Sequence, residues 1–232
     1  MSSVLARLPG LPQPDEFERW LDLPGEWVEA PNQRRGGQSG VQRLRTLDGR
    51  LLYRKQQVDH CYRDWRHPFG EPTVLREQRA LQAFAALGVR VPQLVYCATR
   101  RQAGRQQALL VTAALDGFDS LEAIYARGEA QHWDDALRAR IFRQLGGLLA
   151  RLHRARWQHG CLYAKHIFLR IDAHGWVELA LLDLEKSRRR LTRRLAARHD
   201  LRQLRRHSSW GAAEWESLEH GYLQAGGQHL EG

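Results

Sequence analysis

The amino-acid sequence predicts an α+β fold with a small strand-rich lobe over residues 1–112 and a helical lobe over 113–232. Two observations support this division. Two hairpin patterns around one helix fill the first part of the chain, and long apolar periodicities typical of helices dominate the second. We expect both lobes to belong to a single domain, with a ligand cleft between them.

The hairpins of the first lobe are predicted from β-type segments that lie on either side of polar turns. The paired segments are 41–47 with 50–57, and 94–99 with 107–113. Asp48-Gly49 separates the first pair and is a strong turn dipeptide. A polar turn around Gly104 separates the second pair.

One helix is predicted between the two hairpins, over about residues 74–87, because its apolar residues recur at helical spacing and Gly88 follows. Residues 1–30 mix prolines, acids and tryptophans, which indicates an irregular arm and an edge strand. This arm suggests no function.

The second lobe is predicted to be helical except for one small hairpin. The helices are expected over 121–126, 134–155 and 192–224, and the hairpin strands over 167–171 and 176–182. Apolar residues of the 134–155 segment recur every three or four positions, which is typical of an amphipathic helix. The hairpin ends at Asp183.

Composition favours a soluble protein that stays in the cytoplasm. Hydrophobic residues are 43% and charged residues 27% of the chain. The sequence has no apolar run of about 18 residues and no signal-peptide pattern at its start. Its cysteines, Cys61, Cys97 and Cys161, are odd in number and widely spaced, so neither a disulfide framework nor a zinc motif is predicted.

Positive charge is concentrated in one segment. The net charge is +10, and residues 186–206 contain ten Lys or Arg and one acid, Asp200. The segment is either a solvated helix face or a surface for an anionic membrane or a phosphorylated or acidic substrate. No nucleic acid is expected, because recognition motifs and interleaved aromatic residues are absent from the sequence.

Three features of the first lobe suit phosphate binding. Gly36, Gly37 and Gly40 precede a predicted strand, and glycine lets backbone N–H groups approach phosphates closely. Lys55 ends the next strand and can reach phosphate oxygens, while Glu77 on the following helix can hold it by an ion pair. Taken alone, each feature is more often an ordinary glycine turn, an exposed strand lysine or a common helix glutamate.

Two features of the second lobe complete the pattern. A polar loop that contains His159, Lys165 and His166 precedes a short strand. Asp183 ends an apolar strand further along the chain. A carboxylate in that setting is usually paired or coordinates a cation, and oxygen ligands suit Mg²⁺. The order of glycine loop, strand lysine, helix glutamate, histidine loop and strand-end aspartate is that of protein kinases.

The sequence resembles the lipopolysaccharide kinases of Gram-negative bacteria, the InaA, WaaP and Kdo-kinase group. The resemblance runs over about residues 31–204. It rests on Arg34-Arg-Gly-Gly-Gln-Ser-Gly40, Arg76-Glu-Gln-Arg-Ala-Leu81, His159-Gly-Cys-Leu-Tyr-Ala-Lys-His-Ile-Phe-Leu169 and Leu182-Asp-Leu-Glu-Lys-Ser-Arg188. It implies a protein-kinase-like fold and the transfer of phosphate from ATP, with Mg²⁺, to an inner-core sugar, heptose or Kdo.

The resemblance also implies roles for individual residues. Gly36, Gly37 and Gly40 would cover the phosphates of the nucleotide, and Lys55 would bind them while paired with Glu77. Asp183 and His166 would stand at the metal and nucleotide. Asp200 would brace the loop that begins at His159. The catalytic candidates are His159, Cys161, Lys165 and Asp183.

The loop departs from the kinase pattern at two positions. Cys161 stands where kinases have the catalytic aspartate, and His166 stands where they have asparagine. A thiol is a poor substitute for a carboxylate that orients a hydroxyl group and accepts its proton. Two functions therefore stay open, an active sugar kinase and a pseudokinase that binds nucleotide or acts as a scaffold. Tyr163, Lys165 and His166 are the candidates for orienting the acceptor.

Overall fold

The N-terminal part of the chain is built on a five-stranded antiparallel sheet. The structure, a computed structural model, describes residues 15–34, 36–64 and 67–228. The elements of this part are α1 (Glu16–Asp22), β1 (Glu26–Arg34), β2 (Gly37–Arg45), β3 (Leu51–Val58), β4 (Cys61–Tyr62), β5 (Glu71–Pro72), α2 (Thr73–Ala86), β6 (Leu94–Gln102) and β7 (Arg105–Ala113). The sheet order is β1-β2-β3-β7-β6, and β4 pairs separately with β5. Both predicted hairpins and the helix between them are confirmed.

The sheet is covered on both faces. Residues 108–111 of β7 are all buried, because β7 lies between β3 and β6 with a helix on either side. Leu110 belongs to the main core with Phe84 of α2. Val111 belongs to a small second cluster against which Trp20 of α1 packs. This burial on two faces explains why β7 is a continuous apolar run and not an alternating one.

Helix α1 was not predicted, because the sequence indicated an irregular arm there. Asp15 caps it by accepting a hydrogen bond from the backbone N–H of Glu18 at 2.7 Å. The short Asp15-Glu-Phe-Glu18 pattern was the available signal. The predicted edge strand is β1, at one end of the sheet order. Residues 1–14 of the predicted arm lie outside the described residues.

The C-terminal part is mainly helical. Its elements are β8 (Asp119–Ser120), α3 (Leu121–Ala126), α4 (Asp135–Arg154), β9 (Trp157–Gln158), β10 (Ile167–Ile171), β11 (Val177–Leu181), β12 (Arg188–Arg189), α5 (Arg193–Arg206) and α6 (Ala212–Gln224). Short 3₁₀ turns cover Glu129–His132, Ala164–His166 and Leu184–Lys186. The predicted small hairpin is β10 and β11, which pair antiparallel from Ile167↔Leu181 to Ile171↔Val177. Among the described residues, no helix has the length and apolar character needed to cross a membrane.

The predicted helix over 192–224 is two helices with a break between them. The break lies between Arg206, the last residue of α5, and Ala212, the first residue of α6. The Glu214 carboxylate fixes the start of α6 by accepting a hydrogen bond from the Gly211 backbone N–H. The break allows Trp210 to enter the core, where its ring lies 4.8 Å from that of Phe142 in an edge-on arrangement. Burial of this large aromatic side chain outweighs the loss of continuous helix.

Helix α4 is the centre of the C-terminal core. Its buried stripe includes Ile141, Leu145 and Leu149 at the predicted spacing. Gly146 and Gly221 lie where α4 crosses α6, and a Cβ at either position would collide with backbone atoms of the opposite helix. The two helices can therefore approach closely only because both positions are glycine.

This crossing predicts opposite effects for two neighbouring glycines of α4. Gly146→Ala should destabilise the fold by about 1–3 kcal/mol, because the new methyl group overpacks the crossing. Gly147→Ala is the matched control, since its Cβ would meet its nearest neighbour at an ordinary 3.9 Å. Alanine there should stabilise the helix by roughly 0.5–1 kcal/mol. Urea denaturation measures the free energy of unfolding of both variants. Equal changes in this free energy at the two positions would contradict the packing argument.

Candidate nucleotide and phosphotransfer site

A buried ion pair joins the sheet to α2. Glu77 lies on the buried face of α2, and Lys55 lies on β3 between Val41 of β2 and Leu110 of β7. Lys55 Nζ is 2.6 Å from Glu77 Oε2, so the expected ion pair is present. Because both side chains are largely withdrawn from water, breaking the pair by removing one partner would leave a costly buried charge.

A second carboxylate shares Lys55. Glu185 Oε2 lies 3.6 Å from Lys55 Nζ, and Glu185 Oε1 lies 3.6 Å from His60 Nε2. Burial would lower the pKa of the Lys55 ammonium, but the carboxylates of Glu77, Glu185 and Asp183 outweigh it and raise that pKa. Lys55 is therefore held as a fixed positive charge beside Asp183.

The sequence did not single out Glu185, although it lies two residues after Asp183. The backbone carbonyl of Glu185 also accepts a hydrogen bond from Arg76 of α2. The segment after β11 is thus tied to α2 through both the side chain and the backbone of one residue. A second acid so close behind a strand-end aspartate was the only available signal.

The buried carboxylate of Asp200 holds the loop after β9. It accepts hydrogen bonds from the backbone N–H groups of His159 at 2.6 Å and Gly160 at 2.9 Å. The rings of His153 and His199 lie 3.3 and 3.2 Å from its oxygens. Burial alone would raise the pKa of Asp200, but the side-chain hydrogen bonds of His153 and His199 and the charge of His153 depress it well below its usual range. The bracing role expected for Asp200 is present.

His159, the first residue of the loop, is completely buried. Its Nε2 lies 3.0 Å from the Leu182 carbonyl and its Nδ1 lies 3.3 Å from the Cys161 backbone N–H. The ring therefore connects the loop to the strand end just before Asp183. Burial lowers the pKa of His159 to about 4, so the ring is neutral at physiological pH. This geometry makes His159 a positioning residue, because backbone groups occupy both ring nitrogens.

Cys161, His166 and Asp183 converge next to the ion pair. Their sulfur, nitrogen and oxygen atoms all lie within 4.8 Å of one another. Asp183 has a left-handed backbone with φ 60° and ψ 64°, which directs the chain sharply away from β11. Burial and the Asp183 carboxylate raise the pKa of the Cys161 thiol. A neutral thiol at this position is a weak proton acceptor.

The remaining loop candidates lie at its outer side. Lys165 is exposed, with its ammonium 5.8 Å from the centre of the Tyr163 ring. The Tyr163 hydroxyl accepts a hydrogen bond from the Gln203 side chain of α5 at 2.9 Å. Lys165 is thus open to solvent, whereas Tyr163 is partly buried against α5.

The glycine segment forms the turn from β1 into β2. Gly36 is exposed with φ 77°, a conformation that side chains rarely adopt. Gly37 and Gly40 are buried, and a Cβ there would collide with the backbone at Asp59 and with the Trp27 ring, respectively. Close packing is therefore a sufficient reason for glycine at 37 and 40, and Gly36 is the position that faces open space.

Comparison with known proteins agrees with this arrangement. The model of the lipopolysaccharide kinase (Kdo/WaaP) family matches residues 18–222. The chain belongs to this family. Protein InaA of Escherichia coli (strain K12) is 38% identical over 206 residues, which are 88% of this chain and 94% of InaA. The resemblance stated from the sequence is confirmed.

The fold has a counterpart among solved structures. The structure of WaaP in complex with acyl carrier protein superposes with a TM-score of 0.70 and 20% identity, over 90% of this chain and 83% of that chain. The predicted kinase-like α+β fold is therefore confirmed. Membership in a kinase family implies the use of ATP, typically with a divalent metal.

Asp183 and its surroundings suit the binding of a divalent metal. Mg²⁺ is usually bound by one or two carboxylates together with substrate phosphates. Asp183 is a partly exposed carboxylate beside the fixed Lys55 charge, which suits a metal–phosphate pair. His166 Nε2 lies 3.4 Å from Asp183 Oδ2. As an imidazole it is a less typical magnesium ligand than the asparagine of other kinases.

The burial of His159 predicts a pH dependence of stability. An unfolded histidine has a pKa of about 6.5, whereas the pKa of folded His159 is about 4. Between these values the unfolded state binds more protons, so the free energy of unfolding should fall as pH is lowered through this window. The full shift corresponds to about 3 kcal/mol.

Urea denaturation over a series of pH values measures this slope. His159→Gln should flatten it, because the titrating group is removed. His174→Gln is the matched control, since His174 is exposed in the turn between β10 and β11. A slope that persists unchanged in His159→Gln would show that another group is responsible.

Proposed function

We propose that this protein is an ATP-dependent phosphotransferase that phosphorylates an inner-core sugar of lipopolysaccharide, heptose or Kdo. One observation carries the proposal: the buried Lys55–Glu77 pair lies beside Asp183, at the junction of the sheet and the helical part. A charged lysine and a metal-binding carboxylate side by side are what phosphoryl transfer from a nucleotide requires. Family membership supplies the reaction class.

The nucleotide-side roles follow from this placement. Lys55 would bind phosphate oxygens of ATP, with Glu77 and Glu185 keeping its ammonium in place. Gly36 would let the β1–β2 turn close over the phosphates, with Gly37 and Gly40 shaping the strand behind it. Asp183, with His166 beside it, would hold the Mg²⁺, which neutralises charge on the phosphates when bound.

The acceptor side has no carboxylate at position 161. Because the Cys161 thiol is a weak base, the sugar hydroxyl would be oriented by other groups of the loop, and exposed Lys165 and partly buried Tyr163 are the candidates. Phosphoryl transfer depends mostly on positioning and electrostatic stabilisation, so transfer without the aspartate is slow but feasible. His159 would contribute by holding the loop.

A second function is favoured by the same cysteine. If the missing carboxylate is essential, the chain would be a pseudokinase that keeps nucleotide binding and serves as a scaffold. The two functions share every nucleotide-side residue, so only the transfer of phosphate separates them.

Restoring the missing carboxylate tests the proposal. Wild-type protein should transfer phosphate from labelled ATP to deacylated lipopolysaccharide core, and Cys161→Asp should accelerate transfer by at least tenfold, because a positioned base typically contributes roughly 10²–10⁴-fold. Cys61→Ser is the matched control, since Cys61 lies on β4 outside the site. Absence of transfer by the wild type, whether or not Cys161→Asp transfers phosphate, would favour the pseudokinase.

Thermal unfolding with magnesium and a non-hydrolysable ATP analogue separates binding from transfer. Binding at 100 times the Kd stabilises the fold by about 2.7 kcal/mol. Lys55→Ala and Asp183→Ala should lose this stabilisation, and Asp48→Asn should keep it, because Asp48 lies in the turn at the other end of β2 from Gly36. No stabilisation of wild type would contradict both functions.

The basic segment is proposed to bring the protein to its lipid-linked substrate at the cytoplasmic face of the inner membrane. Arg188, Arg189, Arg193 and Arg194 are exposed, and none of them has an ion-pair partner among the described residues. Leu191 is 85% exposed between them. Exposed leucine amid unpaired arginines suits the boundary of an anionic membrane. The WaaP structure contains an acyl carrier protein, so such a protein is the competing partner for this chain.

Vesicle binding tests this surface. Each arginine near an anionic membrane contributes about 1 kcal/mol, so the double change Arg193→Ala/Arg194→Ala should weaken binding to phosphatidylglycerol vesicles about 30-fold. Salt should weaken wild-type binding similarly. The control is Arg50→Ala/Arg101→Ala, which changes one exposed arginine in the β2–β3 turn and one in β6. Equal binding of both double variants, or binding only to added acyl carrier protein, would contradict membrane contact.

A further inference from the structure

The Cys161, His166 and Asp183 cluster contains three different kinds of metal ligand. A thiol, an imidazole and a carboxylate lie with their ligand atoms within 4.8 Å of one another. Phosphoryl transfer as proposed uses the carboxylate and gives the sulfur no role. Cys161 is nevertheless buried with its sulfur near Asp183, where a chemically inert small residue would suffice.

The His166 ring is oriented as in a metal site. Its Nδ1 lies 2.6 Å from the backbone carbonyl of Cys161, so Nδ1 carries the hydrogen and donates it. The other ring nitrogen, Nε2, faces Asp183. Metal-binding histidines typically show this arrangement, in which a backbone carbonyl fixes the tautomer and aims the second nitrogen at the ion.

The spacing of two ligand atoms matches one tetrahedral ion. Zinc binds histidine nitrogen and carboxylate oxygen at about 2.0–2.2 Å, which places two such atoms about 3.4 Å apart in tetrahedral geometry. His166 Nε2 and Asp183 Oδ2 are 3.4 Å apart. The Cys161 sulfur lies within 4.8 Å of a ring nitrogen of His166 and of a carboxylate oxygen of Asp183, so a small side-chain movement would bring it to a shared ion.

The donor set selects zinc over magnesium. Magnesium requires oxygen ligands in octahedral geometry, whereas sulfur and imidazole nitrogen favour zinc and similar ions. We propose that Cys161, His166 and Asp183 form a Zn²⁺ site with its fourth position open to the cleft. Binding would release the thiol proton to solvent and leave the sulfur as thiolate.

The Cys161 sulfur has charges of both signs beside it, the Asp183 carboxylate and the Lys186 ammonium. Lys186 Nζ lies 4.0 Å from the Cys161 sulfur and stabilises its anionic form. The Lys186 residue is exposed, so its ammonium can move into solvent when the ion enters. Because Asp183 would serve either ion, zinc and magnesium–nucleotide would exclude each other. This last consequence rests on the proposed function, but the zinc site itself does not.

Cobalt(II) is the probe for this site, because it replaces zinc and reports a bound thiolate by an intense charge-transfer absorption. Nucleotide-free protein should bind one equivalent of cobalt with that absorption. Added zinc should abolish it, and excess magnesium should not. Absence of the absorption in the wild type would overturn the site, whatever the result of the nucleotide experiments.

Two variants that remove different ligands keep the result independent of any one substitution. Cys161→Ser and His166→Ala should each lose the absorption, with folding checked by circular dichroism. Cys61→Ser should retain it, since Cys61 has no metal-ligating cluster among the described residues. An absorption that survives in Cys161→Ser, or is lost in Cys61→Ser, would place the ion elsewhere and overturn the proposal.

Discussion

The arrangement of the site depends on one buried carboxylate. Asp200 has no exposed surface, and it accepts backbone hydrogen bonds from His159 and Gly160 while two histidine rings approach its oxygens. A buried anion is tolerated only when its hydrogen-bonding capacity is satisfied, so the loop and α5 fix each other. The loop residues with a proposed role, Cys161 to His166, come directly after these two anchored residues in the chain. The hydrogen bonds to Asp200 therefore set where these residues lie.

A second set of interactions couples the sheet to that anchored loop. Lys55 of β3 contacts Glu77 of α2 and Glu185 after β11, and Arg76 of α2 binds the backbone of Glu185. His159 bonds to Leu182, so the anchored loop and the segment carrying Asp183 move as one unit. The relative position of the lysine and the aspartate is thus set by contacts on both sides.

The chemistry of position 161 separates this chain from the usual kinase pattern. Replacing a carboxylate by a thiol removes a base and a negative charge, and at the same time supplies a ligand for softer metals. With His166 in place of asparagine, both changes shift the donor set from oxygen towards sulfur and nitrogen. A slow kinase, a nucleotide-binding scaffold and a zinc-responsive protein would all use the same Lys55–Glu77 pair and the same loop anchored by Asp200.

The sequence alone determined the hairpins and the small β10–β11 pair, because period-two and helical patterns and turn residues are local signals. The kinase-like fold was implied by the order of the site residues and by the family resemblance. The sequence also pointed to the Lys55–Glu77 pair, since the family resemblance carried that contact. The sequence predicted an irregular arm within residues 1–30, because the capping signal of α1 at Asp15 spans only four residues.

Only the tertiary structure revealed Glu185 beside Lys55, the close α4–α6 crossing at Gly146, and the break that buries Trp210. It also decided that His159 is a neutral, buried residue and that Cys161 meets His166 and Asp183. These features depend on distances between residues far apart in the chain and on burial, neither of which a local pattern of side chains encodes.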